Sequence, residues 1–92
     1  MVLEKYDNDI VLLVMEDCMG CKSIKHLLKE EIERGFIKVL DVYKDPDAKN
    51  IIEEVKQKLE ISYVPTLLKI RRTSSGYEVC NITEEKCETV TF

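Results

Sequence analysis

The sequence predicts an α/β fold: a mixed four-stranded sheet flanked by helices, in the order strand, helix, strand, helix, strand, strand, short helix. Three observations carry this. Ile10 to Met15 is an unbroken run of β-branched and aliphatic residues, as in a strand buried on both faces. Two later stretches carry apolar residues at helical spacing and are followed by strand-like segments. Thr73-Ser74-Ser75-Gly76 is a turn so tight that its flanking strands must be antiparallel.

Taken in order, the first strand is the run 10–15. The first helix spans Cys18 to about Glu33, with Ile24, Leu27, Leu28 and Ile32 on one face and lysines and glutamates on the other. Gly35 ends it, because a glycine accepts the left-handed backbone that closes a helix. Phe36 to Tyr43 reads as the second strand. Asp45-Pro46-Asp47 starts a second helix, an acid at the cap followed by Pro in the first turn. Ile51, Ile52, Val55 and Leu59 form its apolar face. Ile61 to Ile70 is the third strand, interrupted by Pro65, and Tyr77 to Ile82 the fourth. Thr83 caps a short last helix. No repeat or linker divides the chain, so residues 1–92 form one domain.

Composition narrows the function. Fourteen Lys plus Arg against eighteen Asp plus Glu give a net charge of −4, with Arg71-Arg72 the only adjacent basic pair. Nucleic acid is not expected as a partner, since it requires a basic stripe. The longest apolar run is about six residues, far short of the ~20 that span a bilayer, so no membrane partner is expected either. Glu4, Asp7 and Asp9 stand where a secretory leader would be basic and then apolar, so the expected location is cytoplasmic.

Four cysteines stand at 18, 21, 80 and 87. In a cytosolic chain such a count reads as redox or metal chemistry. Cys18-Met19-Gly20-Cys21 lies between a predicted strand and a predicted helix. Unpaired N–H groups and the positive end of the helix dipole favour a thiolate at Cys18. Cys21 follows one turn later on the same face and can attack a mixed disulfide formed at Cys18. The same spacing serves a zinc site or a packed, inert pair. Val64-Pro65-Thr66 is the second motif: a proline near the start of an interior strand removes a ladder donor, an anomaly that a cis peptide in a bend resolves and an edge strand avoids.

The two motifs together resemble the thioredoxin superfamily, which pairs CxxC at a helix start with a cis-proline opening the third strand. The stretch from Leu40-Asp41-Val42 through Asp45-Pro46-Asp47 to Ile61-Ser62-Tyr63-Val64-Pro65-Thr66-Leu67-Leu68 is similar to thioredoxin, and the chain length is closer to glutaredoxin. The resemblance spans roughly residues 9 to 90. It implies a thioredoxin-like fold, with Cys18 as nucleophile and Cys21 as resolving thiol. It also implies a cis Val64–Pro65 bond against Cys18 and a groove in which Val64 binds an extended substrate by strand addition, lined by Met19 and Tyr63.

The chain departs from the family in several places, and the Gly-Gly and acidic residues by which glutaredoxins hold glutathione are among what is missing. Met-Gly separates the cysteines. Glu16 and Asp17 precede Cys18, and acids so placed oppose a thiolate while Lys22 favours it. The first strand is wholly apolar and lacks the acid that thioredoxins use, so proton transfer to Cys21 needs another group or water. His26 reads as a surface residue, and Lys22, Lys25 and Lys29 as a solvated edge. By the resemblance, Cys80 falls beside the cis-proline, where it is a possible modulating thiol, and Cys87 lies on the last helix. Two packed apolar residues or a Cys80–Cys87 disulfide are the other readings of this pair.

The function expected is a thiol–disulfide oxidoreductase. It takes disulfide-containing protein or small-molecule substrates and draws electrons from a reductase or dithiol donor. No bound cofactor is required, because Cys18 and Cys21 carry the redox change. The alternatives are a binding or adaptor module that uses the groove without redox turnover, and a metal module built on Cys18, Cys21 and Cys80.

Overall fold

A computed structural model of the chain describes residues 1–91. Its five strands are β1 (Ile10–Val14), β2 (Ile37–Asp41), β3 (Thr66–Arg72), β4 (Gly76–Asn81) and β5 (Lys86–Thr91). Its helices are α1 (Met19–Leu27), α2 (Lys29–Glu33) and α3 (Pro46–Val55), preceded by a 3-10 turn at Val2–Tyr6. The sheet order is β2-β1-β3-β4-β5, with β1 and β2 parallel and every other pair antiparallel.

β1 is central because both of its faces are apolar. Val11 and Leu13 enter a core against α3 and the 3-10 turn, joined by Leu3, Ile51, Val55, Leu68, Ile70, Tyr77 and Val79. Leu12 and Val14 enter a second core on the opposite face, with Cys18, Cys21 and Ile37. Ile24, Leu28 and Ile32 pack on that second core from α1 and α2. Their spacing of four places them on one helical ridge.

Several expectations change in the structure. The single helix over 18–33 is two, because the backbone of Leu28 leaves helical geometry at φ −102° and ψ 19°. Leu27, expected on the apolar face, is exposed. Asp45 stands at the cap position of α3, but its Oδ2 accepts from the backbone N–H of Asp41 at 2.6 Å rather than from the helix. That helix ends at Val55 and not at Leu59, which is nevertheless buried in the turn beyond it. β3 begins only after Pro65, since a proline has no N–H to give the ladder.

The largest correction is at the C-terminus. The sheet has five strands, not four, and the expected last helix is β5. Thr83 does not cap a helix; its Oγ1 accepts from the Leu67 N–H at 2.9 Å and ties the hairpin turn to β3. Asn81 Oδ1 accepts from the Glu84 N–H at 3.2 Å, and Glu85 takes a left-handed backbone with φ 57°, which together turn the chain back. Thr89, Val90 and Thr91 are β-branched, and Val90 is buried in the first core. At Gly76, a Cβ would lie 2.0 Å from the carbonyl oxygen of Val90, so only glycine lets β4 start this close to β5.

The α1-side face is therefore covered over β1, β2 and the start of β3, where Leu67 packs on the second core, and open over the rest of β3, β4 and β5. In the open part the register and side-chain alternation place Lys69 and Arg71 of β3, Glu78 and Cys80 of β4, and Cys87 and Thr89 of β5. Arg71 and Glu78 form an ion pair there at 3.1 Å.

Candidate functional site

The site is built at the C-terminal end of β1. Asp17 takes φ 56°, a left-handed backbone that aspartate tolerates better than most residues, and this turns the chain from β1 into α1. Cys18 is the N-cap of α1, with extended backbone at φ −114° and ψ 109°. Its carbonyl accepts from the Lys22 N–H at 3.1 Å, and its Sγ accepts from the Cys21 N–H at 3.1 Å. A sulfur at this position faces the unpaired N–H groups of the helix start, the setting that stabilises negative charge on it.

Cys18 and Cys21 form a disulfide, with Cα atoms 5.2 Å apart. Cys18 keeps 9% of its surface and Cys21 only 1%, so an incoming partner meets Cys18 first. The Val64–Pro65 bond is cis. The Pro65 ring lies against the first turn of α1, where a Cβ on Gly20 would come within 3.2 Å of Pro65 Cδ. The Met-Gly pair thus has a packing reason: the second residue must be small to lie on Pro65. Val64 packs on both cores and joins the loop before β3 to the cysteine pair.

Charge near the pair is more balanced than the sequence implies. Glu16 forms an ion pair with Lys44, from the loop between β2 and α3. The Glu16 carboxylate raises the Lys44 ammonium above its ordinary value, chiefly through that hydrogen bond. Of the two acids before Cys18, one therefore carries its own counter-charge.

Cys21 lines a cavity of about 290 Å³ with Asp41, Asp17, Glu16, Lys22 and Lys25. Asp41 pairs with Val14 across the parallel ladder, which places its side chain on the α1 side. Its Oδ1 accepts from the N–H groups of Tyr43 at 2.8 Å and Lys44 at 3.0 Å, and this holds the carboxylate at the strand end. Sequence reasoning sought an acid on β1 and passed over this one, since only strand pairing brings Asp41 to Cys21.

A second cavity, of about 410 Å³, lies on the other side of Val64. Tyr63 and Val64 line it, together with Met15, Val42, Tyr43 and Ile52, while Pro65 does not. Tyr43 and Tyr63 are exposed, so two aromatic rings flank an apolar groove. Tyr43 and Met15 went unnoticed in the sequence; an aromatic followed by a lysine at a strand end carries no distinguishing signal. Met19 is 78% exposed on the first turn of α1 and is not part of this lining.

The other candidates lie elsewhere. His26 is exposed, as are Lys22, Lys25 and Lys29. Cys80 pairs in register with Lys69, four residues along β3 from Pro65, and is disulfide-bonded to Cys87. The hairpin turn shifts the register, so that residues 83 and 84, rather than Cys80, follow β3 back towards the proline. Cys87 is on a strand and not on a helix. Among the described residues, no three His, Cys, Asp or Glu side chains group so as to hold a metal ion, and Cys80 does not converge with Cys18 and Cys21. No helix of the described chain is long and apolar enough to cross a membrane.

No family model, curated protein or solved structure gives a significant match to this chain.

Proposed function

We propose that the chain is a thioredoxin-like thiol–disulfide oxidoreductase that reduces protein or small-molecule disulfides through Cys18 and Cys21. The observation that carries this is the Cys18–Cys21 disulfide at the first turn of α1, packed against Val64-Pro65. The element order strand, helix, strand, helix, strand, strand supports the family resemblance, with β5 in place of the terminal helix.

In the reduced protein, the Cys18 thiolate attacks one sulfur of a substrate disulfide. That bond breaks, the first substrate thiol leaves, and a mixed disulfide forms at Cys18. Cys21 then loses its proton and attacks Cys18 Sγ, releasing the second substrate thiol and restoring the Cys18–Cys21 disulfide. Two electrons pass to the substrate, and a reductase or dithiol donor returns them. Asp41, which shares a cavity with Cys21, takes the Cys21 proton, directly or through water. The groove beside Val64 holds the substrate segment, with Tyr43 and Tyr63 on its sides.

The test separates the two sulfurs. With dithiothreitol as donor and a peptide disulfide as substrate, Cys18→Ser is expected to lower reduction to the uncatalysed rate. Cys21→Ser is expected to accumulate a mixed disulfide at Cys18. Full turnover in Cys18→Ser removes this reading. The exposed aromatic groove then favours a binding module of the same shape, tested by peptide affinity with the cysteines replaced.

A further inference from the structure

The lysines of the helix that carries the cysteines stand where the fold gains nothing from them. Lys22 and Lys25 are on α1, and Lys29 opens α2. Spacings of three and four put them in one stripe. The helical path continues across the break at Leu28, whose N–H donates to the Ile24 carbonyl at 2.9 Å and whose carbonyl accepts from the Ile32 N–H at 3.0 Å. All three lysines are exposed, and among the described residues none pairs with a carboxylate. Like charges at these spacings repel one another. Lys22 is also in the first turn of α1, where the helix dipole disfavours a cation and no acid offsets it. α1 has no acid along its whole length, in a chain whose net charge is −4.

The stripe starts at the redox pair. Lys22 and Lys25 line the cavity that Cys21 also lines. A partner that reaches Cys18, at the N-cap, covers the first turns of α1. Three carboxylates border the same cavity, and two of them are engaged. Glu16 pairs with Lys44, and Asp41 accepts from the N–H groups of Tyr43 and Lys44. Asp17 is left against the lysines, and the acids of α2 begin only at Glu30, beyond the last of them.

We infer that the substrate disulfide is flanked by carboxylate side chains, which dock along Lys22, Lys25 and Lys29 while Cys18 attacks. This rests on the oxidoreductase reading and names the substrate class of that site. The exchange step keeps its balance: a bond forms between Cys18 Sγ and one substrate sulfur, and the electron pair of the broken bond leaves on the other. A substrate segment rich in lysine meets repulsion at the same stripe, so the charges select as well as attract. Exposed charges act over about 8 Å at physiological salt, so the preference weakens as salt is added.

The test uses three cystine peptides that differ only in the residues beside the disulfide: Glu, Gln or Lys. Each is reduced by the wild-type protein at low salt with dithiothreitol as donor, and each rate is divided by that of dithiothreitol alone. The order Glu, Gln, Lys is expected in kcat/KM. In the variant Lys22→Gln with Lys25→Gln and Lys29→Gln, the quotient of the Glu rate over the Gln rate is expected to fall about three- to tenfold, the combined size of two or three exposed charge pairs. Any change in Cys18 reactivity from the loss of Lys22 acts on all peptides alike and cancels in that quotient. An unmoved quotient overturns the inference while the oxidoreductase reading stands, and the lysines are then a solvated edge. If no peptide is reduced, the oxidoreductase reading itself falls. Equal affinity of the Cys18→Ser, Cys21→Ser protein for the Glu and Lys peptides then overturns the docking stripe as well.

Discussion

The two halves of the α1-side face carry the same covalent group in opposite settings. Over β1 and β2 the face is apolar, with Leu12, Val14 and Ile37 under α1 and α2, and its disulfide closes one turn at a helix start. Over the rest of β3, β4 and β5 the face has no cover, and its disulfide crosses between neighbouring strands. The side chains follow the cover: where the first half has aliphatic residues, the second has Lys69, Arg71, Glu78 and Thr89. An uncovered sheet face must be polar, because bare apolar area on it costs about 25 cal/mol per Å² of burial forgone. The comparison separates two influences on a cysteine pair. Backbone dipoles act on the covered pair, and solvent access acts on the open one.

The largest stability effect expected breaks the open half alone. Gly76→Ala drives a Cβ into the carbonyl oxygen of Val90, a backbone atom that cannot move without displacing β5. A loss of about 3 kcal/mol is expected, in the range for overpacking. Hydrogen exchange should rise in β4 and β5 and stay unchanged in α1. Equal loosening of α1 would make the two halves one cooperative unit and end the contrast.

A smaller effect comes from removing the open cross-link. The Cys80–Cys87 bond joins residues seven apart, and the double replacement Cys80→Ser with Cys87→Ser should cost about 2 kcal/mol through the entropy returned to the unfolded chain. The urea midpoint should fall while reduction through Cys18 and Cys21 keeps its rate. A fall in that rate would mean that the two pairs act together.

The smallest effect lies on the opposite face and should move both halves alike. Tyr6 donates to Asp47 at 2.5 Å, between the 3-10 turn and α3. Burial, and then this hydrogen bond to Asp47, push the Tyr6 hydroxyl up to about 12. A raised value stabilises the fold fully below the ordinary 10.0, and that contribution is lost as pH climbs towards about 12. Hydrogen bonds from Lys5 and then Tyr6 hold Asp47 below the usual carboxylate range, so its contribution is present above that range and lost as pH falls through the lowered value. Tyr6→Phe should flatten the alkaline limb of a urea-midpoint profile. An unaltered limb would assign it to another group, such as Lys44, whose ion pair with Glu16 is also lost at high pH.

Periodicity and local chemistry alone determined much of this protein. The apolar run of β1, the helical spacing of Ile24, Leu28 and Ile32, and the turn before Gly76 are properties of neighbouring residues, and each can be read without knowing what packs on it. The same holds for Cys18 at a helix start, since strand, CxxC and helix are consecutive. The tertiary structure decided the rest. Whether residues 86–91 form a helix or a strand depended on the edge that β4 offers, which short-range propensity does not encode. That choice set the register of Cys80 against Cys87 and left half of one face open to solvent. Strand pairing likewise brought Asp41 beside Cys21 and Lys44 to Glu16, from positions twenty or more residues away. Contacts of that kind are fixed by register and by which faces are covered, and no window of sequence contains either.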